Sequence, residues 1–120
     1  MEKIIYVIDD SDTNLSTAEN ALEDFYTVVT VPSGKRAIEL LEKIIPQLIL
    51  LDIEMPEMNG FQVLEYLRAS KYSNIPVMFL TATIDDEIKA RALQMGVVDF
   101  ITKPFSKPAL LDKIRLYIND

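Results

Sequence analysis

Three aspartates, one threonine and one lysine follow short apolar runs in this sequence, at points where the strands of a sheet would end. Asp9 and Asp10 follow the first run, Asp52 the third and Thr81 the fourth, and Lys103 lies just beyond the fifth. Carboxylates bind hard cations and can act as nucleophiles, whereas an ammonium group and a hydroxyl stabilise a transferring phosphoryl group. Each residue alone is most often a helix cap or a solvated loop residue. Together, at four strand ends, they indicate a functional cluster.

Three carboxylates at one edge of a sheet repel one another unless positive charge lies among them. At a separation of about 5 Å and an effective dielectric constant of about 20, each pair repels by ~3 kcal/mol. The side chains of Asp9, Asp10, Asp52 and Lys103 carry three negative charges and one positive charge. One Mg²⁺ would cancel the excess, because Mg²⁺ binds one or two carboxylates together with phosphate oxygens. The cluster therefore predicts a site for a divalent cation.

The residue types that are missing narrow the chemistry further. The 120 residues contain no cysteine and no histidine, which excludes disulfides, thiolate zinc sites and serine–histidine–aspartate triads. A net charge of −7 makes the chain a poor partner for nucleic acid, since an acidic surface repels phosphate backbones. No apolar stretch is long enough to span a bilayer or to form a secretory signal. We therefore expect a cytoplasmic protein without direct contacts to nucleic acid or membrane.

Five apolar runs, which alternate with segments of helical spacing, would position these residues. The runs are short and rich in valine, isoleucine and leucine, which is typical of parallel strands covered on both faces. They span residues 4–8, 26–31, 48–51, 77–80 and 97–101. The second and fifth runs contain polar residues, which suits positions nearer an edge or a functional end of the sheet. Each helical segment follows a residue that can cap it, and these are Ser11 or Asp12, Ser33, Asn59, Asp85 and Ser106.

The alternating order predicts one α/β domain over residues 1–120, with a parallel sheet and helices on both faces. In doubly wound sheets of this kind, ligands bind outside the carboxyl ends of the strands, where the polar residues lie. The second helix is expected to bury Ala37, Ile38, Leu41 and Ile45 on one side and to end before Pro46.

The ordered set of motifs resembles the receiver domains of two-component response regulators across essentially the whole chain. The matching motifs are Asp9-Asp10, Asp52-Ile53-Glu54-Met55-Pro56 with Gly60, Thr81-Ala82 and Lys103-Pro104-Phe105. The resemblance implies a flavodoxin-like (βα)5 fold with strand order 2-1-3-4-5. It also implies a signalling switch that takes up a phosphoryl group and is not an enzyme acting on a separate substrate.

The resemblance implies a role for each carboxylate of the cluster. Asp52 would be the phosphoacceptor and would attack the phosphohistidine of a partner kinase. Asp10 would bind Mg²⁺, or Mn²⁺ in its place, directly, and Asp9 would act mainly through a bound water. Asp52 and the backbone carbonyl of Glu54 would supply further metal ligands.

The remaining motif residues are expected to act on the phosphoryl group. Lys103 would pair with its oxygens. Thr81 would act as a switch residue that donates a hydrogen bond to one of them and moves toward it. The small side chain of Ala82 would leave access open. Lys103-Pro104 matches the position of a cis peptide bond in such domains. Glu54 and Thr83, each two residues beyond a site residue, would tune how fast the acyl phosphate hydrolyses.

Phe100, three residues before Lys103, matches an aromatic residue that swings inward after phosphorylation, although it could equally be an ordinary core residue. The output would be read on the face of the fourth helix, fifth strand and fifth helix, by an output domain or an effector protein. The resemblance also implies a homodimer through this face, because many receivers dimerise there using a charged network. Ala109 and Asp120 weaken that expectation, because they stand where an acidic and a basic residue would pair.

Partners implied by the resemblance are a sensor histidine kinase or a phosphotransfer protein. Three alternatives remain at this point. A haloacid-dehalogenase-like phosphohydrolase also uses an aspartate, Mg²⁺ and a lysine, but Asn14 departs from its motif and the chain is too short for a cap domain. A flavin- or nucleotide-binding fold would need a glycine-rich loop, which is missing. An interaction module that has lost phosphorylation would have a damaged acidic cluster.

Overall fold

The computed structural model describes residues 3–118, which form five strands and five helices in strict alternation. The strands are β1 (Ile4–Ile8), β2 (Thr27–Val31), β3 (Leu48–Asp52), β4 (Val77–Thr81) and β5 (Asp99–Thr102). The helices are α1 (Asp12–Leu22), α2 (Gly34–Leu41), α3 (Gly60–Arg68), α4 (Asp86–Gln94) and α5 (Lys107–Arg115). Within this described range, none of the helices has the length and apolar character needed to cross a bilayer.

The strands form one parallel sheet in the order β2-β1-β3-β4-β5, which confirms the expected fold. Strands β2 and β5 are the edges of the sheet, in agreement with the polar residues in the second and fifth apolar runs. The central strands β3 and β4 are buried along their whole length, because helices cover both faces of the sheet.

Side chains alternate along each strand between two hydrophobic cores, one on each face of the sheet. In β1, Tyr6 and Ile8 pack into the core beneath α2, α3 and α4, whereas Ile5 and Val7 pack into the core beneath α1 and α5. Helix α4 fully buries only Ala92. It therefore has the smallest share in the core among the helices of the described range.

Each helix is preceded by a capping residue whose side chain accepts a hydrogen bond from a backbone N–H group of the first turn. Every capping side chain accepts a hydrogen bond from the N–H three residues later, which stabilises each helix by about 1 kcal/mol. The capping residues are Ser11, Ser33, Asn59, Asp85 and Ser106. Of the two alternatives for α1, the structure therefore selects Ser11 over Asp12.

The expected inner face of α2 is wrong at its C-terminal end. The helix ends at Leu41, Ile45 is exposed, and Ile38, also expected to be buried, is only half-buried. Glu42 and Lys43 bond back to carbonyls three residues earlier, which tightens the chain out of the α-helical path. Pro46 then disfavours helical backbone at Ile45, because its ring clashes with the residue before it.

Candidate functional site

The carboxyl ends of β1 and β3 bring three aspartates together at one edge of the sheet. One carboxylate oxygen from each of Asp9, Asp10 and Asp52 lies within 4.8 Å of the other two. Asp9 and Asp52 are buried, whereas Asp10 is exposed. The strands are adjacent and parallel, with Ile8 opposite Leu51, so the residues that end them meet.

Lys103 reaches this group from the end of β5 and pairs with two of the carboxylates. Its Nζ lies 2.7 Å from Asp9 Oδ2 and 3.1 Å from Asp52 Oδ1. The backbone N–H of Lys103 donates to the carbonyl of Thr81 at 2.8 Å, and the Lys103–Pro104 peptide bond is cis. The lysine thus brings positive charge between the two buried carboxylates.

Asp9 is held by a second contact that the sequence pattern had not singled out. The backbone N–H of Ser11 donates to Asp9 Oδ1 at 3.0 Å, while the Ser11 hydroxyl caps α1. An aspartate that accepts from the N–H two residues later forms an Asx turn, so the signal in the sequence was an aspartate at a strand end. Since Oδ2 is bound to Lys103, each oxygen of this buried carboxylate has a partner.

The pKa values of Asp52 and Lys103 are both raised above their ordinary values. Burial raises the pKa of Asp52 from 3.8 to about 6; the hydrogen bond from Lys103 opposes this rise and the charge of Asp9 adds to it. Burial by itself would lower the pKa of Lys103, but hydrogen bonds to Asp9 and Asp52 outweigh it and raise that pKa. Three carboxylates and one lysine leave the site with excess negative charge, a condition that a divalent cation would relieve.

A cavity of about 180 Å³ opens beside the Asp52 carboxylate. Its walls include most of the residues that were expected to contact a phosphoryl group, and they are Asp52, Glu54, Thr81, Ala82, Thr83 and Lys103. Glu54, Ala82 and Thr83 are exposed, so they lie at the mouth of the cavity. A group approaching Asp52 would pass these three side chains.

The hydroxyl of Thr81 forms its hydrogen bonds within the loop that follows β4, with the backbone of Thr83. It donates to the carbonyl of Thr83 at 2.8 Å, and the N–H of Thr83 donates back to it at 3.2 Å. A hydroxyl has one hydrogen to donate. An acceptor bound at Asp52 would therefore compete with the Thr83 carbonyl for it.

Phe100 lies inside the core beneath α4. Its side chain is 8% exposed, and its ring packs edge-on against Phe79 with 6.4 Å between the centroids. The ring already lies inward, as expected of a core aromatic, and the structure shows no outward position from which it would swing. Movement of Phe100 on phosphorylation stays a prediction.

Gly60 closes the site behind Asp52. Its N–H donates to the carbonyl of Ile53 at 2.7 Å, and a Cβ at residue 60 would lie 2.5 Å from the carbonyl oxygen of Asp52. No side chain fits in that space, so α3 can begin this close to the acidic cluster only with glycine.

The chain was compared with known proteins. A family model of the response regulator receiver domain matches residues 5–115. The chain is 33% identical over 117 residues to a probable cyclic di-GMP phosphodiesterase from Vibrio cholerae, covering 97% of this chain and 26% of that protein. The chain thus spans about a quarter of the length of this relative.

Solved structures show the same fold. Chemotaxis protein CheY4 of Vibrio cholerae superposes with a TM-score of 0.93 at 27% identity, covering 98% of this chain and 100% of that chain. The receiver domain of sensor histidine kinase PA1611 from Pseudomonas aeruginosa, whose structure has a magnesium ion coordinated in the active site cleft, superposes with a TM-score of 0.89 at 25% identity over 100% of both chains. With the family model matching most of its length, this chain belongs to the family of response regulator receiver domains.

Proposed function

We propose that Asp52 accepts a phosphoryl group from the phosphohistidine of a partner kinase or phosphotransfer protein, and that residues 1–120 act as one signalling switch. The observation that supports this role is the buried Asp52 carboxylate, 3.1 Å from Lys103 and beside two further carboxylates. An Asp52 oxygen forms the bond to phosphorus, the phosphorus–nitrogen bond breaks, and the histidine nitrogen keeps its electron pair. The product on this chain is an acyl phosphate.

The donor set of the site fits Mg²⁺, the ion that is coordinated in the related receiver domain of PA1611. Asp10 would bind the ion directly and Asp9 through a water, with Asp52 and the backbone carbonyl of Glu54 as further ligands. All of these are oxygen donors, which suit both Mg²⁺ and Mn²⁺. When bound, the ion would offset the negative charge of the carboxylates and of the phosphoryl oxygens.

Side chains around the cavity would act on the phosphoryl group as it is transferred. Lys103, already paired with Asp52, would pair with phosphoryl oxygens and stabilise their developing charge. Thr81 would exchange the carbonyl of Thr83 for a phosphoryl oxygen. Glu54 and Thr83, at the mouth of the cavity, would tune how fast water hydrolyses the acyl phosphate.

The output would be read on the face formed by α4, β5 and α5. Phosphorylation would need to favour one of two arrangements of the Thr81 loop by only about 1–3 kcal/mol to change this face. Leu93 and Tyr117 are exposed on this face and offer apolar contact to an output domain or effector protein. A homodimer through the same face stays a prediction: Ala109 is exposed but uncharged, and Asp120 lies outside the described residues. The cytoplasmic location also stays a prediction.

Acetyl phosphate donates phosphoryl groups without a partner protein, so uptake can be measured on this chain by intact-protein mass spectrometry. With Mg²⁺, the wild type should gain one phosphoryl group and Asp52→Asn should gain none. Asp112→Asn, which alters an exposed aspartate of α5, is the matched control and should gain as much as the wild type. A chelator should abolish the gain while leaving the circular dichroism spectrum unchanged.

Two results would contradict the proposal. A wild type that gains nothing would exclude a phosphoacceptor, and equal labelling of Asp52→Asn would place the acceptor elsewhere. Sustained hydrolysis of a phosphate monoester would instead indicate the phosphohydrolase alternative.

A further inference from the structure

Among residues 3–118, strand β5 is the last strand of the sheet, so one side of its backbone faces no neighbouring strand of this described range. Backbone groups on such an edge need other partners. Here they are side chains from α5 and the turn after it. The carbonyl of Val98 accepts from the Tyr117 hydroxyl at 3.0 Å, and the carbonyl of Phe100 accepts from Lys113 Nζ at 2.9 Å.

Both backbone polar groups of Phe100 are linked to the same ammonium group. The N–H of Phe100 donates to Asp99 Oδ1 at 2.8 Å, and that oxygen also accepts from Lys113 Nζ at 2.8 Å. The Asp99 side chain is 22% exposed and that of Lys113 is 42% exposed. These charge-assisted bonds are therefore only partly screened by solvent.

The other helix of this face is attached differently. Helix α4 fully buries only Ala92, and its Arg91 guanidinium lies 4.0 Å from the ring centroid of Phe61 on α3. Lys113 bonds α5 to β5 itself, and Tyr117, two residues past α5, bonds to the carbonyl of Val98, the residue before β5. Within the face, β5 and α5 therefore form one unit, whereas α4 is fastened to α3.

We propose that Asp99, Lys113 and Tyr117 form a clasp that holds α5 on the free edge of β5, and that Lys113 is the positioning residue through which a change at Phe100 reaches α5. Only the transmission step rests on the proposed function, because phosphorylation of Asp52 would supply the change at Phe100. The clasp itself is present in the resting protein. Lys113 touches no reacting group and acts through the backbone of Phe100.

Hydrogen–deuterium exchange of the full chain tests the clasp in the resting protein. Lys113→Met removes the ammonium group and keeps an apolar stem. Lys107→Met is the matched control, because it removes the same charge from the same helix, where the lysine pairs with Asp24 at 3.7 Å. We expect Lys113→Met to speed exchange in α5 about tenfold. Lys107→Met should change it little, since its ion pair is exposed, and Lys113→Arg should restore slow exchange.

The same peptides, followed after addition of acetyl phosphate and Mg²⁺, test transmission. Phosphorylation should change exchange in both the Thr81 loop and α5 of the wild type and of Lys107→Met. Lys113→Met should still gain one phosphoryl group and show the Thr81 response, but its α5 response should be lost. If Lys113 only stabilised the attachment of α5, the α5 response to phosphorylation would remain in Lys113→Met.

The outcomes separate the two proposals. Resting exchange equal to that of Lys107→Met would overturn the clasp. An α5 response retained in Lys113→Met would overturn the role of Lys113 in transmission. If the wild type gained no phosphoryl group, the proposed function would fail, and the resting comparison alone would decide whether the clasp exists.

Discussion

Replacing Asp52 by asparagine should stabilise the metal-free protein at neutral pH. Burial raises the pKa of this carboxyl from 3.8 to about 6, so its ionisation costs the folded state more than the unfolded chain. The difference corresponds to ~3 kcal/mol. The favourable hydrogen bond from Lys103 is already included in it, because that bond lowers the same pKa. Since an amide carries no charge, Asp52→Asn should raise the free energy of unfolding by roughly 2–3 kcal/mol above about pH 7.

The pH dependence of this gain follows from the direction of the shift. As pH rises, the unfolded chain loses the Asp52 proton near pH 3.8 and the folded protein only near pH 6 or so. The wild type therefore loses stability across that interval, and the variant does not. The difference between the two proteins should be small below about pH 4, grow with pH, and become constant above about pH 7.

Urea denaturation in chelator, followed by circular dichroism across this pH range, measures the difference. Asp112→Asn is the control: it removes an exposed charge and should match the wild type at every pH. Added Mg²⁺ should narrow the gap, because a ligand stabilises the state that binds it and the variant has lost a carboxylate ligand. The reasoning is refuted by a variant no more stable than the wild type above about pH 7, or by a gain that does not vary with pH.

Three further substitutions test contacts described above. Lys103→Met leaves the Asp9 and Asp52 carboxylates without their cation and should lower the free energy of unfolding in chelator by roughly 3 kcal/mol; urea denaturation measures this, and unchanged stability would contradict the pairing. Gly60→Ala would bring a Cβ to 2.5 Å from the Asp52 carbonyl. This substitution should lower the free energy of unfolding by ~2 kcal/mol and slow phosphoryl uptake measured by mass spectrometry. Wild-type stability and uptake would mean that the backbone shifts to make room for the Cβ. Arg68→Met removes hydrogen bonds to four backbone carbonyls. It should lower the melting temperature by roughly 5–10 °C in calorimetry, and an unchanged value would show that water replaces the guanidinium.

The strands and the meeting point of the site could be predicted because each depends on simple geometry. Strands buried on two faces lose their polar alternation, and parallel strands end at one edge. Neighbours at a strand end point in opposite directions, so Asp9 and Asp10 were bound to differ, but residue type alone does not say which of the two is buried. The preference of Lys103 for Asp9 and Asp52 depends on how the chain after β5 folds back across the sheet.

The partners of long cationic side chains were the hardest feature to predict from the sequence. Arg68 and Lys113 look like ordinary basic residues near helix ends, yet each binds backbone carbonyls of other elements. Which carbonyls they reach depends on tertiary neighbours, and helical spacing does not encode those. Ile45 was misplaced for a related reason: helical spacing favoured burial, but the chain leaves the helix before reaching it.

The hydrogen bond of 2.7 Å between Lys103 and Asp9 joins residues 94 positions apart in the chain. Strand β1 lies inside the sheet and β5 at its edge, with β3 and β4 between them. Contacts between such distant segments are slow to form in folding, because a long loop must close before they contribute. A chain that has begun to fold but has not yet added its last strand presents Asp52 without its lysine. The site is thus complete only once β5 has joined the sheet, so any chemistry that needs Lys103 requires the whole domain to be folded.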